Sequence, residues 1–205
     1  MKPKTIMWTV GIIAVIGSLL FWNLLFPAKP ASTISDPSAL PGLQTVTAPW
    51  PAELQNLSAR LRAIGLPALS AEGSALHIHQ HLDLMINGAP VAIPSGIGIN
   101  AAAGFISDIH VHDDTGVIHV ESPTRQTFTL GQFFDIWGVR LTASCIGGYC
   151  TDATHSITVY SNGKPVSGNP RSLALESHQE IVIVYGSNAA ATGTIPSTYT
   201  FPAGE

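Results

Sequence analysis

The feature that most constrains the fold is an alternation of apolar and polar residues that stops at turn-forming residues. Residues 77–86, HIHQHLDLMI, alternate in this way and run directly into Asn87-Gly88. A type I′ turn needs two residues that tolerate a positive φ, which makes Asn-Gly the strongest short signal for a hairpin. The sequence therefore predicts a β-hairpin in which residues 90–93, PVAI, form the returning strand.

Two further hairpins and a final strand follow the same logic. The second hairpin joins residues 105–112 (FISDIHVH) to 117–122 (VIHVES) through Asp-Asp-Thr-Gly, and the third joins residues 156–161 to 164–166 through Asn-Gly. Residues 180–186, EIVIVYG, are mostly apolar and typical of a buried strand. Hairpins of this kind predict a sheet that is antiparallel or mixed.

Two segments have helical rather than strand periodicity. Residues 51–64 carry leucine or isoleucine at positions 54, 57, 61 and 64, and Gly65 is expected to end this helix. In residues 129–138, TLGQFFDIWG, Thr129 and Gln132 have the spacing of a capping box and Gly138 suits a C-cap. Both apolar faces are expected to pack against a core.

The order of these elements predicts an α+β domain over residues 51–205. We expect an antiparallel or mixed β-sheet built from hairpins, with one or two helices packed on one face. A β-grasp-like arrangement is one candidate for its topology.

The N-terminal region predicts a membrane anchor and a linker. Lys2 and Lys4 precede an uncharged run from residue 5 to residue 26, which spans roughly 33 Å as a helix and exceeds the ~30 Å hydrocarbon core of a bilayer. We expect residues 1–26 to be an uncleaved, single-pass signal-anchor with a cytoplasmic N-terminus and a periplasmic or extracellular C-terminal domain. Residues 27–50, rich in Pro, Ser, Thr and Ala, are expected to form an extended linker.

Composition excludes some classes of function. The 205 residues have a formal net charge of −4, and only 11% of them are charged. A nucleic-acid binder is excluded because no basic run is present to neutralise phosphates. The remaining length suits one domain with its own core.

The most unusual compositional feature is 8 histidines against 9 lysines and arginines. Six of them lie between positions 77 and 119, and successive side chains of a strand point to opposite faces. On the first strand His77, His79, His81 and Asp83 therefore share one face. Pairing across the turn at 113–116 places five further residues on one face of the second hairpin: Asp108, His110, His112, His119 and Glu121.

This pattern predicts metal binding. Same-face neighbours on a strand are about 6.6 Å apart and cross-strand pairs about 5 Å apart, so inward-leaning imidazoles can reach one ion. We expect His110, His112 and His119 to bind Zn or Cu, with His77, His79, His81 and Asp83 as added ligands or a second site. Asp108 and Glu121 would ligate or orient imidazoles. A pH-responsive surface and a merely solvated face are the alternatives.

Cys145 and Cys150 enclose four residues, so they do not form a Cys-x-x-Cys redox motif. Outside the cytoplasm they are expected to form a disulfide, whereas metal ligation by thiolates would require reducing conditions.

Nucleophile elbows, phosphate loops, dinucleotide fingerprints and His-Glu-x-x-His are absent from the sequence. A cupin is disfavoured because the acidic residue expected shortly after His110-Val111-His112 is missing.

Five strings of the chain carry a resemblance: LHIHQHLDLMING, IHVHDDTGVIHVESP, FTLGQFFDIWG, VYSNGKPV and EIVIVYG. Together they resemble a family of bacterial secreted or membrane-anchored proteins without an established activity. The resemblance covers most of residues 50–205. It implies an extracytoplasmic domain and no mechanism.

The sequence thus favours a membrane-anchored metal-binding protein that sequesters, transfers or senses Zn or Cu. We assign no catalytic residue and favour a binding role over an enzyme. One alternative is a zinc-dependent hydratase or hydrolase, because three histidines leave a fourth zinc position for water. The other is an interaction domain that binds no metal. The expected partners are the membrane and a metal ion, and no protein partner is predicted.

Overall fold

The computed structural model describes residue 34 and residues 36–187 and 194–205. Along these residues one α-helix precedes six strands, and a second α-helix precedes five more. The predicted anchor over residues 1–26 lies outside these residues. Helix α1 spans Leu57–Ile64 and helix α2 spans Leu130–Trp137. The strands are β1 (Leu76–Ile86), β2 (Ala89–Pro90), β3 (Ile99–Asn100), β4 (Phe105–Ile106), β5 (Ile109–His110), β6 (Val117–Ser122), β7 (Cys145–Ile146), β8 (Tyr149–Cys150), β9 (His155–Ser161), β10 (Lys164–Pro165) and β11 (Gln179–Ser187).

Seven strands form one mixed sheet in the order β10-β9-β11-β1-β6-β5, with β2 paired to β1. The pair β1 and β11 is parallel, and β6 is antiparallel to β1 on its other side. Strands β3 and β4 form a separate ribbon, as do β7 and β8. The prediction of an α+β fold with a mixed sheet and packed helices is confirmed for the described residues.

One face of the sheet forms the hydrophobic core with the helices. Leu82 of β1, Ile118 of β6 and Ile181 of β11 are buried there, and they join one apolar cluster with the leucines of α1 and the aromatic residues of α2. Because side chains alternate along each strand, the histidines of β1 and β6 lie on the opposite face. The capping box of Thr129 and Gln132 and the left-handed Gly138 at the end of α2 are both present, as predicted.

Helix α1 begins at Leu57, six residues after the predicted start at Pro51. The Pro51 carbonyl does not enter a helical ladder, because it accepts hydrogen bonds from Gln44 Nε2 at 3.0 Å and Trp137 Nε1 at 3.2 Å. The Glu53 carboxylate binds the Arg60 guanidinium and the Asn56 backbone N–H. These side-chain contacts hold the preceding residues in an irregular conformation.

Residues 36–50, which belong to the predicted linker, pack against the domain rather than extending from it. Leu40 and Trp50 are buried, and Gln44 forms a bridge with Val139. The Gly148 N–H donates to the Val46 carbonyl. Gly148 lies in the loop that the Cys145–Cys150 disulfide closes.

The edge of the sheet beyond β5 is covered by residues 96–98. The Val111 N–H donates to the Ile97 carbonyl at 2.9 Å, and the Ser107 N–H donates to the Gly98 carbonyl at 2.8 Å. A Cβ at Gly98 would lie 2.5 Å from the Ile109 carbonyl oxygen, so the close approach requires glycine. The first hairpin is shorter than predicted. Its return strand β2 pairs with β1 over Ala89–Pro90, and the Val91 N–H donates to the Leu84 carbonyl at 2.8 Å, but no pairing with β1 is seen at residues 92–93.

Replacing the capping residue of α2 should destabilise the fold. Thr129→Ala removes the acceptor for the Gln132 N–H, and we expect it to lower the free energy of unfolding by about 1 kcal/mol in urea denaturation. The matched control is Thr151→Ala at an exposed position, where a change within about 0.5 kcal/mol is expected. Equal effects of the two substitutions would show that the cap contributes nothing.

Candidate metal centre

The register of three neighbouring strands brings the alternating histidines together. Strand β1 pairs with β6 so that His79 lies opposite His119, and β5 pairs with β6 so that His110 also lies opposite His119. The His110–His119 pairing is the register that the turn at 113–116 predicts. His77 lies opposite Glu121 on the same face. The central strand of the site is therefore β6.

Five imidazoles form one continuous group, which we call the histidine cluster: His77, His79, His110, His112 and His119. Successive rings meet edge to face, with centroid separations of 4.8 Å for His77–His79 and 4.5 Å for His79–His119. The chain continues with 4.6 Å for His112–His119 and 4.7 Å for His110–His112. Every ring of the cluster thus contacts at least one other imidazole.

The nitrogen atoms of the histidine cluster have the spacing of ligands around one ion. His110 Nε2 and His112 Nε2 are 3.2 Å apart, and so are His77 Nε2 and His79 Nε2. Two nitrogen ligands at 2.0–2.1 Å from a tetrahedral ion lie about 3.3 Å from each other. Each pair can therefore bind an ion with little movement of the rings.

Two carboxylates face the histidine cluster. Glu121 Oε1 lies 3.2 Å from His77 Nε2, 3.4 Å from His119 Nδ1 and 4.0 Å from His79 Nε2. Glu72 Oε1 lies 3.4 Å from His112 Nε2 at the exposed side of the cluster. Burial and the charge of Glu72 raise the pKa of Glu121, so a bound cation would favour the ionised form that the protein itself disfavours.

The donor atoms fall into compact groups that can each hold an ion. One group combines His110, His112, His119 and Glu121, and a second combines His77, His79 and Glu121. Within each group the donor atoms lie within 4.8 Å of one another. A third group, His81, Asp83 and Glu180, lies on the same face of the sheet.

Burial keeps the inner imidazoles neutral and available as ligands. Burial, with the neighbouring imidazoles, lowers the pKa of His119 to about 3, and burial is also the main cause that lowers the pKa of His110 to about 4. The His110 Nδ1–H donates to the Ser107 carbonyl at 3.0 Å, which leaves the lone pair of Nε2 directed at His112. Metal binding at neutral pH would therefore not require these two rings to lose protons.

His81 and Asp83 lie apart from the histidine cluster. His81 Nδ1 is 2.8 Å from Glu180 Oε2 and its Nε2 is 3.0 Å from the Thr115 carbonyl oxygen, so both nitrogens face acceptors. Burial lowers the pKa of His81, but the bond to Glu180 and its charge outweigh burial and raise it. The ring also stacks on Tyr199 at a centroid distance of 3.8 Å. Both ring nitrogens of His81 thus already face an acceptor, so His81 would have to give up one of these contacts to bind an ion in the third group.

The other predicted residues take different positions. Asp108 is buried beside Ser122, and burial raises its pKa, but it forms no hydrogen bond to an imidazole within the described residues. Its expected role of orienting a ring falls instead to the Ser107 carbonyl. His155 pairs with Asp152 outside the histidine cluster. His178 borders the cluster: its backbone N–H donates to the His79 carbonyl at 2.7 Å, while its ring contacts the Glu205 carbonyl oxygen.

Two site residues were not predicted from the sequence. Glu72 lies in an irregular loop before β1, where no periodicity assigns a face. Glu180 is the second residue of strand β11, where it pairs with His81 across the parallel register. A lone carboxylate at the start of an otherwise apolar strand is a signal that could have identified Glu180.

Among the described residues, no helix is long and apolar enough to cross a membrane.

Comparisons with protein-family models, curated proteins and solved structures find no match to the chain.

Acid should destabilise the metal-free protein through the histidine cluster. Because the pKa values of His110 and His119 lie below the ordinary value of 6.5, the unfolded chain binds more protons between about pH 6.5 and pH 4. The contribution of these residues to the free energy of unfolding should therefore fall as the pH decreases through this window. Urea denaturation with a chelator at pH 7, 5.5 and 4.5 measures it.

The variant His119→Gln has no titrating group at this position, so its free energy of unfolding should depend less steeply on pH than that of the wild type. His155→Gln, at a partly exposed position, is the control and should keep the wild-type slope. Parallel slopes for wild type and His119→Gln would contradict the prediction.

Proposed function

We propose that this domain binds a transition-metal cation, Zn or Cu, on the histidine face of its sheet. The observation that carries the proposal is the histidine cluster itself, in which two pairs of Nε2 atoms lie 3.2 Å apart beside the buried Glu121 carboxylate. Imidazole nitrogen with one carboxylate suits Zn and Cu better than Ca or Mg, which prefer oxygen ligands.

Sequestration, transfer or sensing of the metal is the role we favour. His112 and His77 are 43% and 53% exposed, whereas His110 and His119 are buried, so the site is open to solvent on one side only. A cation can enter from that side and exchange with another carrier. Glu121 lies close enough to supply a fourth ligand beside His110, His112 and His119, which would fill a tetrahedral shell and disfavour catalysis.

A zinc-dependent hydratase or hydrolase is the second candidate. The group of His77, His79 and Glu121 supplies only three ligands, and two histidines with one glutamate is a set that catalytic zinc sites use. Its exposed side at His77 would leave a position for water.

An interaction domain that binds no metal is the third candidate function.

Removing two ligands should abolish tight binding. We expect the full chain, purified in mild detergent without an affinity tag, to bind Zn(II), and the double variant His110→Gln with His112→Gln to bind at least about 100-fold more weakly. At a free concentration 100 times Kd, Zn(II) should raise the free energy of unfolding of the wild type by about 2.7 kcal/mol. Calorimetric titration and urea denaturation measure the two effects.

The control for this test is His155→Gln, which should bind like the wild type. Absence of binding by the wild type to both Zn(II) and Cu(II) would refute the proposal and favour an interaction domain. Zinc-dependent hydrolysis of an ester, or hydration of CO₂, that is lost in His77→Gln would favour the enzyme instead.

We also propose that residues 1–26 anchor the domain outside the cytoplasm, in the periplasm or at the cell surface. The disulfide between Cys145 and Cys150 supports this location, because structural disulfides persist mainly in oxidising compartments. Alkaline phosphatase fused after Glu205 should be active in bacteria that express the full chain, since that reporter folds only outside the cytoplasm. Removal of residues 1–26 should abolish the activity, and an inactive full-length fusion would contradict the proposal.

A β-grasp-like topology is our interpretation of the sheet. The parallel pair β1 and β11 is central, β6 flanks β1, and β9 flanks β11. Helix α2 lies between β6 and β9 in the chain and packs on the core face. This order supports the interpretation.

A further inference from the structure

We propose that the histidine cluster holds two cations, with the Glu121 carboxylate bridging them. The inference rests on the proposed metal binding and adds the number of ions and the residue that joins them. Its basis is that the donor groups on the two sides of β6 share Glu121 and no other residue.

The number of donors exceeds what one ion can use. The histidine cluster and Glu121 supply six residues, whereas Zn is almost always four-coordinate in structural sites. The donors also divide in space, because His110, His112 and His119 group on the β5 side and His77 and His79 group on the free end of β1. The two sets therefore form separate groups of close donor atoms, which meet only at Glu121.

Glu121 is placed between the two sets. Its Oε1 atom lies 3.2 Å from His77 Nε2 in one set and 3.4 Å from His119 Nδ1 in the other. Its side chain is only 6% exposed, and within the described residues its ion pairs are to histidines rather than to lysine or arginine. Oε1 thus faces both sets, and a carboxylate in this position can bridge two ions roughly 3.5–4 Å apart, as in two-metal sites.

The two positions should differ in affinity. The β5-side position has three imidazoles, of which His110 and His119 are buried, and it should fill first. The β1-side position has two imidazoles, and His77 is 53% exposed, so its fourth ligand would be water. Binding should therefore occur in two steps.

The test uses the full chain in mild detergent with Cu(II) as the probe, because two Cu(II) ions this close couple magnetically. One equivalent should give an ordinary mononuclear paramagnetic resonance spectrum. The second equivalent should broaden it and add a half-field signal. With Zn(II), elemental analysis after gel filtration should find two ions per chain.

Three variants separate the parts of the proposal. His77→Gln with His79→Gln should retain one Zn(II) per chain and lose the half-field signal. Glu121→Gln should weaken the second binding step at least about 10-fold and also lose the signal. The control is His155→Gln, which removes an imidazole that pairs with Asp152 outside the cluster and should bind two ions. Circular dichroism confirms that each variant is folded.

The outcomes are distinguishable. One ion per chain in the wild type would overturn the two-ion site and leave the proposed function intact, whereas no bound ion would overturn both. If the wild type binds two ions without a half-field signal, and Glu121→Gln binds two ions in the same way, the bridge by Glu121 is overturned.

Discussion

The antiparallel register between β1 and β6 is the constraint on which the site depends. It places His79 opposite His119 and His77 opposite Glu121, and the same strands contribute Leu82 and Ile118 to the core. A shift of one residue would exchange the two faces of β1, which would bury imidazoles among the helices and expose leucines. The hydrophobic effect that anchors the core face therefore also sets the positions of the histidines.

The histidine cluster brings together imidazoles, each of which disfavours the protonation of its neighbours. The inner imidazoles lose hydration through burial, and each adds to the others' repulsion when charged, which is why the pKa values of His110 and His119 are so low. Thr, Ser or Lys would solvate an outer sheet face at lower cost. A cation bound to the neutral imidazoles and the buried carboxylate would compensate for the hydration that these groups lose on burial.

Much of the fold follows from local patterns, because strand period and turn residues determine which side chains share a face. Asn87-Gly88 and Asn162-Gly163 both adopt the positive φ values that their turns need. Packing that depends on single contacts was not predictable: residues 36–50 have no period, yet Trp50 and the Val46 carbonyl hold them against the domain. Likewise Pro51 suits a helix start, but two side chains bind its carbonyl instead.

The same distinction applies to the site. Parity along the strands brought His77, His79, His110 and His119 onto one face, and it also placed His81 there. The alternation of side chains along a strand could not show that His81 would instead bind Glu180, a residue 99 positions away in the chain. Nor could it place Asp108, whose strand position is right but whose side chain turns towards Ser122.

The covering of β5 by residues 96–98 has a consequence for self-association. A strand at the edge of a sheet is a template on which a second chain can extend the sheet. Here the backbone groups of Ser107 and Val111 already bond to the segment that Gly98 brings close. The edge of the sheet at β5, nearest the histidine cluster, is therefore already paired, and a second chain cannot extend the sheet there. Metal binding need not cause aggregation along this edge.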